Sequence, residues 1–319
     1  MSQIGKNLQK AVTLLNLGKL VAIPTETVYG LAANALNGEA VAEIFKVKNR
    51  PSFDPLIIHL ANADELDKYV KMMDPTFTKI YERFSPGPIS FVLPKSALIP
   101  DLVTAGHPTV AIRFPAHSTA QALLKQLDFP LAAPSANLFG RVSPTSAPDV
   151  EEQLGSDINY ILDGGQCTIG LESTIIDLST KKPKVLRLGG LSIEELEDCL
   201  GEEIDFTKNS SSNPKAPGML SAHYSPGIPL VFGLLTDNLQ KINRQRCGAI
   251  SFNKAVVGIA AENQRILSPK GDLKEAAAAL FRSLRSFDKQ NIDLILAEEF
   301  PQEGLGRAIN DRLKRASAS

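Results

Sequence analysis

A lysine and an arginine two positions apart, Lys48 and Arg50, are the first residues of this sequence whose spacing could do chemistry. Pro51 follows them, and proline disfavours helical geometry in the residue before it. In an extended chain, residues i and i+2 point to the same side, so the pattern predicts that the two cations project together. Such a pair suits phosphate groups, because arginine can bind two oxygens at once. A solvated charged turn is the alternative.

Four further polar residues lie inside or at the end of apolar segments. Arg113 lies within the apolar run 109–115, where a charge needs either an internal carboxylate or an anionic ligand. Ser135 and Asn137 share one side of an extended stretch at the end of a predicted strand, a place where α/β sheets bind ligands. Arg187 lies in another apolar strand. An ordinary turn and a structural salt bridge are the alternatives for these sites.

Two more segments combine polar groups of several kinds. Residues 24–34 hold hydroxyl groups and one carboxylate directly after an apolar strand, and such groups are costly when buried without partners. His223 and Tyr224 lie between prolines and could fold back over a site. The alternatives are a polar turn and a linker anchored by one aromatic side chain.

The elements that must position these residues are predicted from hydrophobic periodicity. Strands that alternate with helices indicate the α/β class. The predicted strands cover residues 20–25, 55–60, 89–94, 109–115, 130–137, 160–165, 173–179, 229–235, 247–252 and 293–300. The predicted helices cover residues 8–17, 38–47, 117–127, 272–288 and 304–316, and Asp272 with Glu275 resembles a capping box.

The length of 319 residues predicts about two domains. Residues 206–227 are rich in Ser, Asn, Pro and Gly and form the predicted linker. Residues 1–205 hold 18 Lys and Arg against 25 Asp and Glu, a net charge of −7, whereas the remainder holds 16 against 10, a net charge of +6. We interpret this asymmetry either as attraction between two domains of opposite charge or as a feature without functional consequence, because no basic run with interleaved aromatic residues indicates nucleic-acid binding.

Composition excludes several classes of protein. Hydrophobic residues make up 43% and charged residues 22%, as in ordinary globular proteins. No apolar run reaches the roughly 18 residues of a membrane span, and the N-terminal segment lacks a signal-peptide core. Cys167, Cys199 and Cys247 form no CxxC pair, which argues against a zinc ribbon or a disulfide framework. We therefore expect a reduced, cytoplasmic protein.

Six segments, in this order, resemble the YrdC-type threonylcarbamoyl-AMP synthase family: PTETVYGLA, KNRPSFDPLIIH, TVAIRFP, APSANLFGRVSPT, ESTIID and VLRLGG. PGMLSAHYSP and GLGRAINDRLKRA resemble the long form of the family, so the resemblance covers essentially the whole chain. It implies a YrdC-like twisted open sheet with a large concave cavity over residues 1–205. It also implies a linker that folds over the active site, residues 206–227, and a smaller Rossmann-like α/β domain, residues 228–319.

The reaction that the resemblance implies is nucleotidyl transfer. An L-threonylcarbamoyladenylate synthase converts L-threonine, bicarbonate or CO2, and ATP into threonylcarbamoyl-AMP and pyrophosphate, for the threonylcarbamoyl-adenosine modification of tRNA. Such chemistry depends on positioning and cationic neutralisation more than on a nucleophile, and the sequence shows no paired Cys or Ser nucleophile. Mg2+ is expected to enter with ATP. Downstream tRNA-modification proteins are the possible partners, and no membrane is expected.

The resemblance also implies roles for individual residues, with Lys48 and Arg50 as the catalytic pair. The residues expected to contact threonine are Thr27, His59, Arg113, Ser135 and Ser173, with Arg113 on the carboxylate. The residues expected to contact ATP are Lys48, Arg50, Asp54, Thr109, Asn137, Ser143, Thr145, Arg187 and Tyr224. Asp54 departs from the family, which usually has Asn there. Its negative charge beside phosphates is unfavourable unless it faces Mg2+ or Arg50.

Three other functions were weighed against this one. An RNA-binding module of the same fold would need a basic concave surface, which the acidic balance of residues 1–205 does not favour. A regulatory nucleotide sensor would bind ATP without turnover. The carbamoyl-transfer relative in hydrogenase maturation is expected to carry zinc-binding CxxC pairs, and this chain has none.

Overall fold

The structure is a computed structural model that describes residues 3–72, 75–206, 217, 223–233, 246–289 and 291–318. Most of the predicted linker, residues 207–216 and 218–222, lies outside the described residues. The division at this segment therefore stays a prediction. Within the described ranges, no helix has both the length and the apolar content needed to cross a membrane.

The first part of the chain folds around one mixed sheet. Its strands are β1 (Gln3–Gly5), β2 (Val21–Ile23), β3 (Gly30–Asn34), β4 (Ile57–His59), β5 (Ile89–Pro94), β6 (Thr109–Arg113), β7 (Leu131–Ala132), β8 (Tyr160–Leu162), β9 (Thr174–Asp177), β10 (Lys184–Arg187) and β11 (Asp205–Phe206). They lie in the order β1-β8-β2-β3-β7-β4-β6-β5-β9-β10-β11. This sheet confirms the predicted α/β class.

Helices pack against the sheet through apolar faces. They are α1 (Leu8–Asn16), α2 (Gly38–Lys48), α3 (Leu66–Tyr69), α4 (Pro75–Phe84), α5 (Asp101–Thr104), α6 (Ser118–Leu124), α7 (Ala147–Leu154) and α8 (Ile193–Leu200). The predicted helix 38–47 corresponds to α2, which buries Val41, Ile44 and Phe45. The side chain of Asn37 accepts hydrogen bonds at the start of α2, which satisfies helix N–H groups that would lack partners.

The last part of the chain forms a second, parallel sheet. Its strands β12 (Leu230–Phe232), β13 (Cys247–Ser251), β14 (Gln264–Ile266) and β15 (Leu294–Ala297) lie in the order β12-β15-β13-β14. Two helices accompany them, α9 (Leu273–Ser286) and α10 (Gly306–Ala316). Asp272 caps α9 as predicted, but the capping box is incomplete. The carboxylate of Glu275 instead accepts a hydrogen bond from Ser268 Oγ at 2.7 Å.

The two parts of the chain share an apolar core and several ion pairs. Val28, Val142 and Leu171 of the first part belong to the same buried cluster as residues of α9 and α10. Among the described residues, each ion pair between the parts joins a carboxylate of the first part to an arginine of α9 or α10. These pairs are Asp149–Arg285, Glu172–Arg312 and Glu194–Arg307. They support the interpretation that opposite charges attract the two parts.

Candidate active site

A small, partly open cavity of about 50 Å³ lies at one edge of the large sheet. His59 ends β4 and Arg113 ends β6, and these neighbouring parallel strands place the two residues directly side by side. Arg187 ends β10, while Ser173 directly precedes β9. Predicted site residues that line the cavity are Arg50, His59, Arg113, Ser135, Ser173, Arg187 and Tyr224.

Arg113 has an internal carboxylate partner and also borders the cavity. Its Nη2 donates to Glu26 Oε1 at 2.7 Å, and both side chains are buried. The other oxygen of Glu26, Oε2, has no hydrogen-bond partner among the described residues. Of the two alternatives for Arg113, the structure therefore provides the internal carboxylate while leaving the residue on the cavity wall.

His59 is held neutral beside Arg113. Burial, with a further contribution from the charge of Arg113, lowers the pKa of His59 to about 3. Its Nδ1 is buried without a hydrogen-bond partner in the described part of the chain. An imidazole in this state presents a neutral polar group to the cavity at neutral pH.

Arg187 connects the strand β9 to the predicted linker. Its Nε and Nη2 donate to the carbonyl oxygen of Ser173 at 3.0 and 2.9 Å, and Nη2 also donates to Ser173 Oγ at 3.0 Å. Its Nη1 donates to the carbonyl oxygen of Pro217 at 3.1 Å. Burial lowers the pKa of Arg187 to about 10, so the guanidinium stays charged at neutral pH.

The predicted extended arrangement of Lys48 and Arg50 is wrong. Lys48 is the last residue of α2, and Asn49 adopts a left-handed conformation with φ 50° and ψ 37°. Pro51 restricts only Arg50, so it does not prevent Lys48 from being helical. Lys48 Nζ donates to the carbonyl oxygens of Ser135, at 2.5 Å, and Asn137. Lys48 thus supports the chain that carries two predicted site residues, whereas Arg50 lines the cavity.

Asp54 faces Arg50, one of the two conditions under which its charge was expected to be tolerated. Asp54 Oδ2 lies 2.9 Å from Arg50 Nη2, and both side chains are buried. Arg50 also donates to the carbonyl oxygens of Asp54 and Pro55, at 3.1 and 2.8 Å. Burial raises the pKa of Asp54, while the charges of Arg50 and Lys48 oppose that rise.

Five other predicted residues do not line the cavity, and their roles stay predictions. Thr27 Oγ1 lies 2.8 Å from Thr25 Oγ1, next to the cavity-lining Val28. Thr109 starts β6, four residues before Arg113. The remaining three make local contacts. Ser143 Oγ donates to Glu172 at 2.6 Å, Thr145 Oγ1 donates to Asp149 at 3.2 Å, and Asn137 Nδ2 donates to the carbonyl oxygens of Leu138 and Arg141 at 2.7 and 3.0 Å.

Sequence reasoning missed two acidic residues at the site, Glu26 and Glu172. Glu172 lines the cavity, and Glu26 holds Arg113. Both lie in segments that were singled out for other residues, the hydroxyl-rich stretch 24–34 and the motif ESTIID. A carboxylate among small hydroxyl residues in each segment was the available signal.

Tyr224 closes the cavity from the side of the last part of the chain. Its ring stacks on Phe281 at 5.5 Å, meets the ring of His223 at 4.1 Å, and lies 5.1 Å from the guanidinium carbon of Arg312. Pockets for ligands of nucleotide size span roughly 300–1,000 Å³. A cavity of about 50 Å³ is smaller than this range, so the groups around it would have to shift to admit a ligand of nucleotide size.

Comparison with known proteins shows the family to which this chain belongs. Residues 13–189 match the model of the Sua5, YciO and YrdC proteins, described as "Telomere recombination". Residues 191–318 match the model described as "Threonylcarbamoyl-AMP synthase, C-terminal domain". The chain belongs to the threonylcarbamoyl-AMP synthase family. The predicted family membership is thereby confirmed.

Similar proteins cover almost the whole chain. The threonylcarbamoyl-AMP synthase of Pyrococcus abyssi is 41% identical over 96% of this chain and 93% of its own length. The threonylcarbamoyl-AMP synthase of Bacillus subtilis is 38% identical over 97% of this chain and 92% of its own length. The crystal structure of P. abyssi Sua5 complexed with L-threonine matches with a TM-score of 0.91 and 38% identity, over 100% of this chain and 98% of that one. Escherichia coli YciO, at a TM-score of 0.54, 24% identity and 59% of this chain, shares the fold.

Proposed function

We propose that this protein is an L-threonylcarbamoyladenylate synthase, which forms threonylcarbamoyl-AMP and pyrophosphate from L-threonine, bicarbonate or CO2, and ATP. The observation that carries the proposal is the partly open cavity bordered by Arg50, Arg113 and Arg187. It lies in a chain that aligns over nearly its full length with synthases of that name. Three cations around one cavity suit a substrate set with a carboxylate and a triphosphate.

The end of the cavity at Arg113 and His59 suits threonine. Arg113 is placed to pair with the substrate carboxylate, and the neutral imidazole of His59 can accept a hydrogen bond from the amine. Ser135 and Ser173 on the wall, with Thr27 behind it, would add hydroxyl groups for the rest of the amino acid. The match to a protein solved with L-threonine supports this assignment.

The end at Arg50 and Arg187 suits the phosphates of ATP. The carbamate formed from threonine and CO2 would attack the α-phosphate, and pyrophosphate would leave. Fixed cations favour this step by stabilising charge on the transferring group. A covalent intermediate on Cys167 is disfavoured, because burial raises the pKa of its thiol to about 12.

Mg2+ would arrive as part of the MgATP substrate. Magnesium at nucleotide sites is held largely by phosphate oxygens and water. Among the described residues, no three His, Cys, Asp or Glu side chains form a group that could hold a metal ion. We further propose a cytoplasmic location and delivery of the product to proteins that modify tRNA, since ATP and tRNA are both available there.

Pyrophosphate release from ATP tests the proposal. It should require both threonine and bicarbonate, and mass spectrometry should detect threonylcarbamoyl-AMP. Release that is independent of threonine or of bicarbonate would contradict the proposed reaction. ATP binding without turnover would indicate a nucleotide sensor instead. Affinity for RNA that falls steeply with salt would indicate an RNA-binding module.

A further inference from the structure

Arg312 of α10 is the most buried charged side chain that the last part of the chain contributes to the first. It is 0% exposed. Its Nε donates to Glu172 Oε2 at 2.9 Å, and its Nη2 donates to the carbonyl oxygen of Leu188 at 2.8 Å. Its guanidinium also lies against the ring of Tyr224. One side chain therefore contacts three segments that border the cavity.

Glu172 is the group that most needs this arginine. It lines the cavity, and Ser143 Oγ donates to its Oε1 at 2.6 Å. Burial acts to raise the pKa of Glu172, but Arg312, Arg187 and the hydrogen bond from Ser143 together hold it at about 2. A buried carboxylate without a cationic partner is strongly unfavourable. Beside a triphosphate, its charge would also repel the substrate.

We propose that Arg312 is a positioning residue for ATP, which neutralises Glu172 and supports Tyr224 from beneath the cavity. The inference deepens the proposed function and rests on it. In this arrangement, Arg187 remains engaged with Ser173 and Pro217. Without Arg312, Glu172 competes for Arg187, and the cavity loses a cation that would otherwise serve the nucleotide. The last part of the chain thus acts on the proposed ATP contacts through Arg187 and Tyr224, and it reaches the proposed threonine contacts only through Ser173, which Arg187 holds.

A second ion pair of the same helix provides a matched control. Arg307 of α10 pairs with Glu194 of α8, also across the two parts of the chain. This pair is partly exposed and neither residue lines the cavity. If Arg312 only held the two parts together, the variants at Arg307 and Arg312 would differ from each other in the free energy of unfolding but not in their KM values. A selective effect on ATP separates positioning from simple attachment.

The experiment compares Arg312→Gln, Arg307→Gln and the double variant Arg312→Gln with Glu172→Gln in the full chain. We expect Arg312→Gln to raise the KM for ATP by about tenfold or more, since it leaves a buried charge uncompensated. The KM for threonine should rise clearly less than the KM for ATP, because Arg312 reaches the threonine contacts only indirectly, through Arg187 and Ser173. Arg307→Gln should leave both values unchanged. The double variant should recover most of the ATP affinity, because the unpaired carboxylate is gone.

Three results would overturn the inference. They are equal rises in both KM values, equal effects of the two arginine variants, or a double variant no better than Arg312→Gln. Calorimetric titration with ATP and thermal melting accompany the kinetics. If Arg312→Gln does not fold, Arg312→Lys takes its place in the same comparison. If the wild-type protein binds ATP but releases no pyrophosphate, the proposed function fails while calorimetry still tests Arg312.

Discussion

At the scale of single residues, burial and one or two charged neighbours determine the charge state of each side chain around the cavity. Burial keeps His59 neutral, with a pKa of about 3, and the positive charge of Arg113 beside it acts in the same direction. Glu172 stays ionised because Arg312 and Arg187 outweigh its burial. Arg113 is held by Glu26. These partners therefore fix the charge of each group in the absence of a substrate, and electrostatic stabilisation relies on such fixed charges.

Replacing Arg113 tests its proposed contact with the threonine carboxylate. Arg113→Lys keeps a positive charge near Glu26 but loses the planar, two-pronged geometry of the guanidinium. Losing a charge-assisted hydrogen bond costs about 1.5–3 kcal/mol, which corresponds to roughly a ten- to hundredfold rise in the KM for threonine. Steady-state kinetics should show this rise with little change in the KM for ATP.

The matched control for Arg113 is Arg83→Lys. Arg83 pairs with Asp198 at the surface, far more exposed than the pair of Arg113 with Glu26. Surface ion pairs contribute little, so both KM values should stay at the wild-type level. A threonine KM that is unchanged in folded Arg113→Lys would show that the carboxylate binds elsewhere.

Buried His59 predicts a loss of stability in mild acid. The pKa of His59 is about 3 in the folded state, below the usual 6.5, so the unfolded chain binds the proton more readily. Its contribution to stability is present above about pH 6.5 and is lost as pH falls toward 3. In that window, His59→Gln should reduce the pH slope of the unfolding free energy by about 1.4 kcal/mol per pH unit. Urea denaturation at several pH values measures it, and identical slopes would contradict neutral burial.

A site residue could be predicted from the sequence only where the residues next to it in the chain already indicated its role. Arg113 stood out because a charge inside an apolar strand is conspicuous. The geometry of Lys48 was misjudged, because the left-handed Asn49 between Lys48 and Arg50 leaves no clear sequence signature. The pair formed by Glu172 and Arg312 joins residues 140 positions apart, and a single sequence carries no information on such a contact.

At the level of elements, the mixed sheet places the C-terminal ends of some strands and the N-terminal ends of others along the same edge. The parallel strands β4 and β6 end there with His59 and Arg113, whereas β5 runs antiparallel to β6 and begins there. Most strands were predictable from apolar runs, but β1, β3, β11 and β14 were missed. A polar turn was one alternative for the segment 24–34, whereas Gly30–Asn34 forms a strand that pairs with β2. Its polar residues precede the strand, and small residues within it gave no β-branched signal.

The end of α2 predicts a dependence of the ATP site on one residue's backbone. Asn49 is left-handed, and its N–H bonds the carbonyl oxygens of Phe45 and Lys46. Asn and Gly tolerate this conformation, whereas a β-branched residue does not. Asn49→Val should lower the unfolding free energy by about 1–2 kcal/mol and raise the KM for ATP, because Arg50 follows directly.

Asn49→Gly provides the comparison for this prediction. Glycine adopts the left-handed conformation without steric cost, so chemical denaturation and ATP kinetics should stay close to wild type. Denaturation midpoints and KM values, measured for both variants, show whether the backbone conformation of residue 49 is what counts. Equal effects of glycine and valine would show that the side chain of Asn49 matters and its backbone conformation does not.

For the molecule as a whole, the opposite net charges of the two parts were readable from the sequence, but their meeting points were not. The three ion pairs to Arg285, Arg307 and Arg312 all use carboxylates of the first part. Two of these arginines share the helix α10, which corresponds to the predicted helix 304–316. Their partners come from distant segments, so the charge totals indicated attraction without indicating that it reaches the cavity.

Tyr224 stands where the two parts of the chain and the cavity meet, and its removal should uncouple pyrophosphate release from product yield. It lines the cavity, stacks on Phe281 and lies over Arg312. Tyr224→Ala should open the cavity to water, and the mixed anhydride product should then hydrolyse before it leaves. The ratio of pyrophosphate to intact threonylcarbamoyl-AMP should rise severalfold, as followed by phosphate-coupled assay and mass spectrometry of the same samples.

The conservative variant Tyr224→Phe separates closure of the cavity from any chemistry of the phenol. Burial raises the pKa of Tyr224 to about 12, so the hydroxyl remains protonated at neutral pH. The phenylalanine ring can keep the stacking on Phe281 and the contact with Arg312, and its ratio of pyrophosphate to product should match wild type. If Tyr224→Phe behaves like Tyr224→Ala, the hydroxyl group acts on the reaction directly. If both behave like wild type, the residue anchors the chain without sealing the cavity.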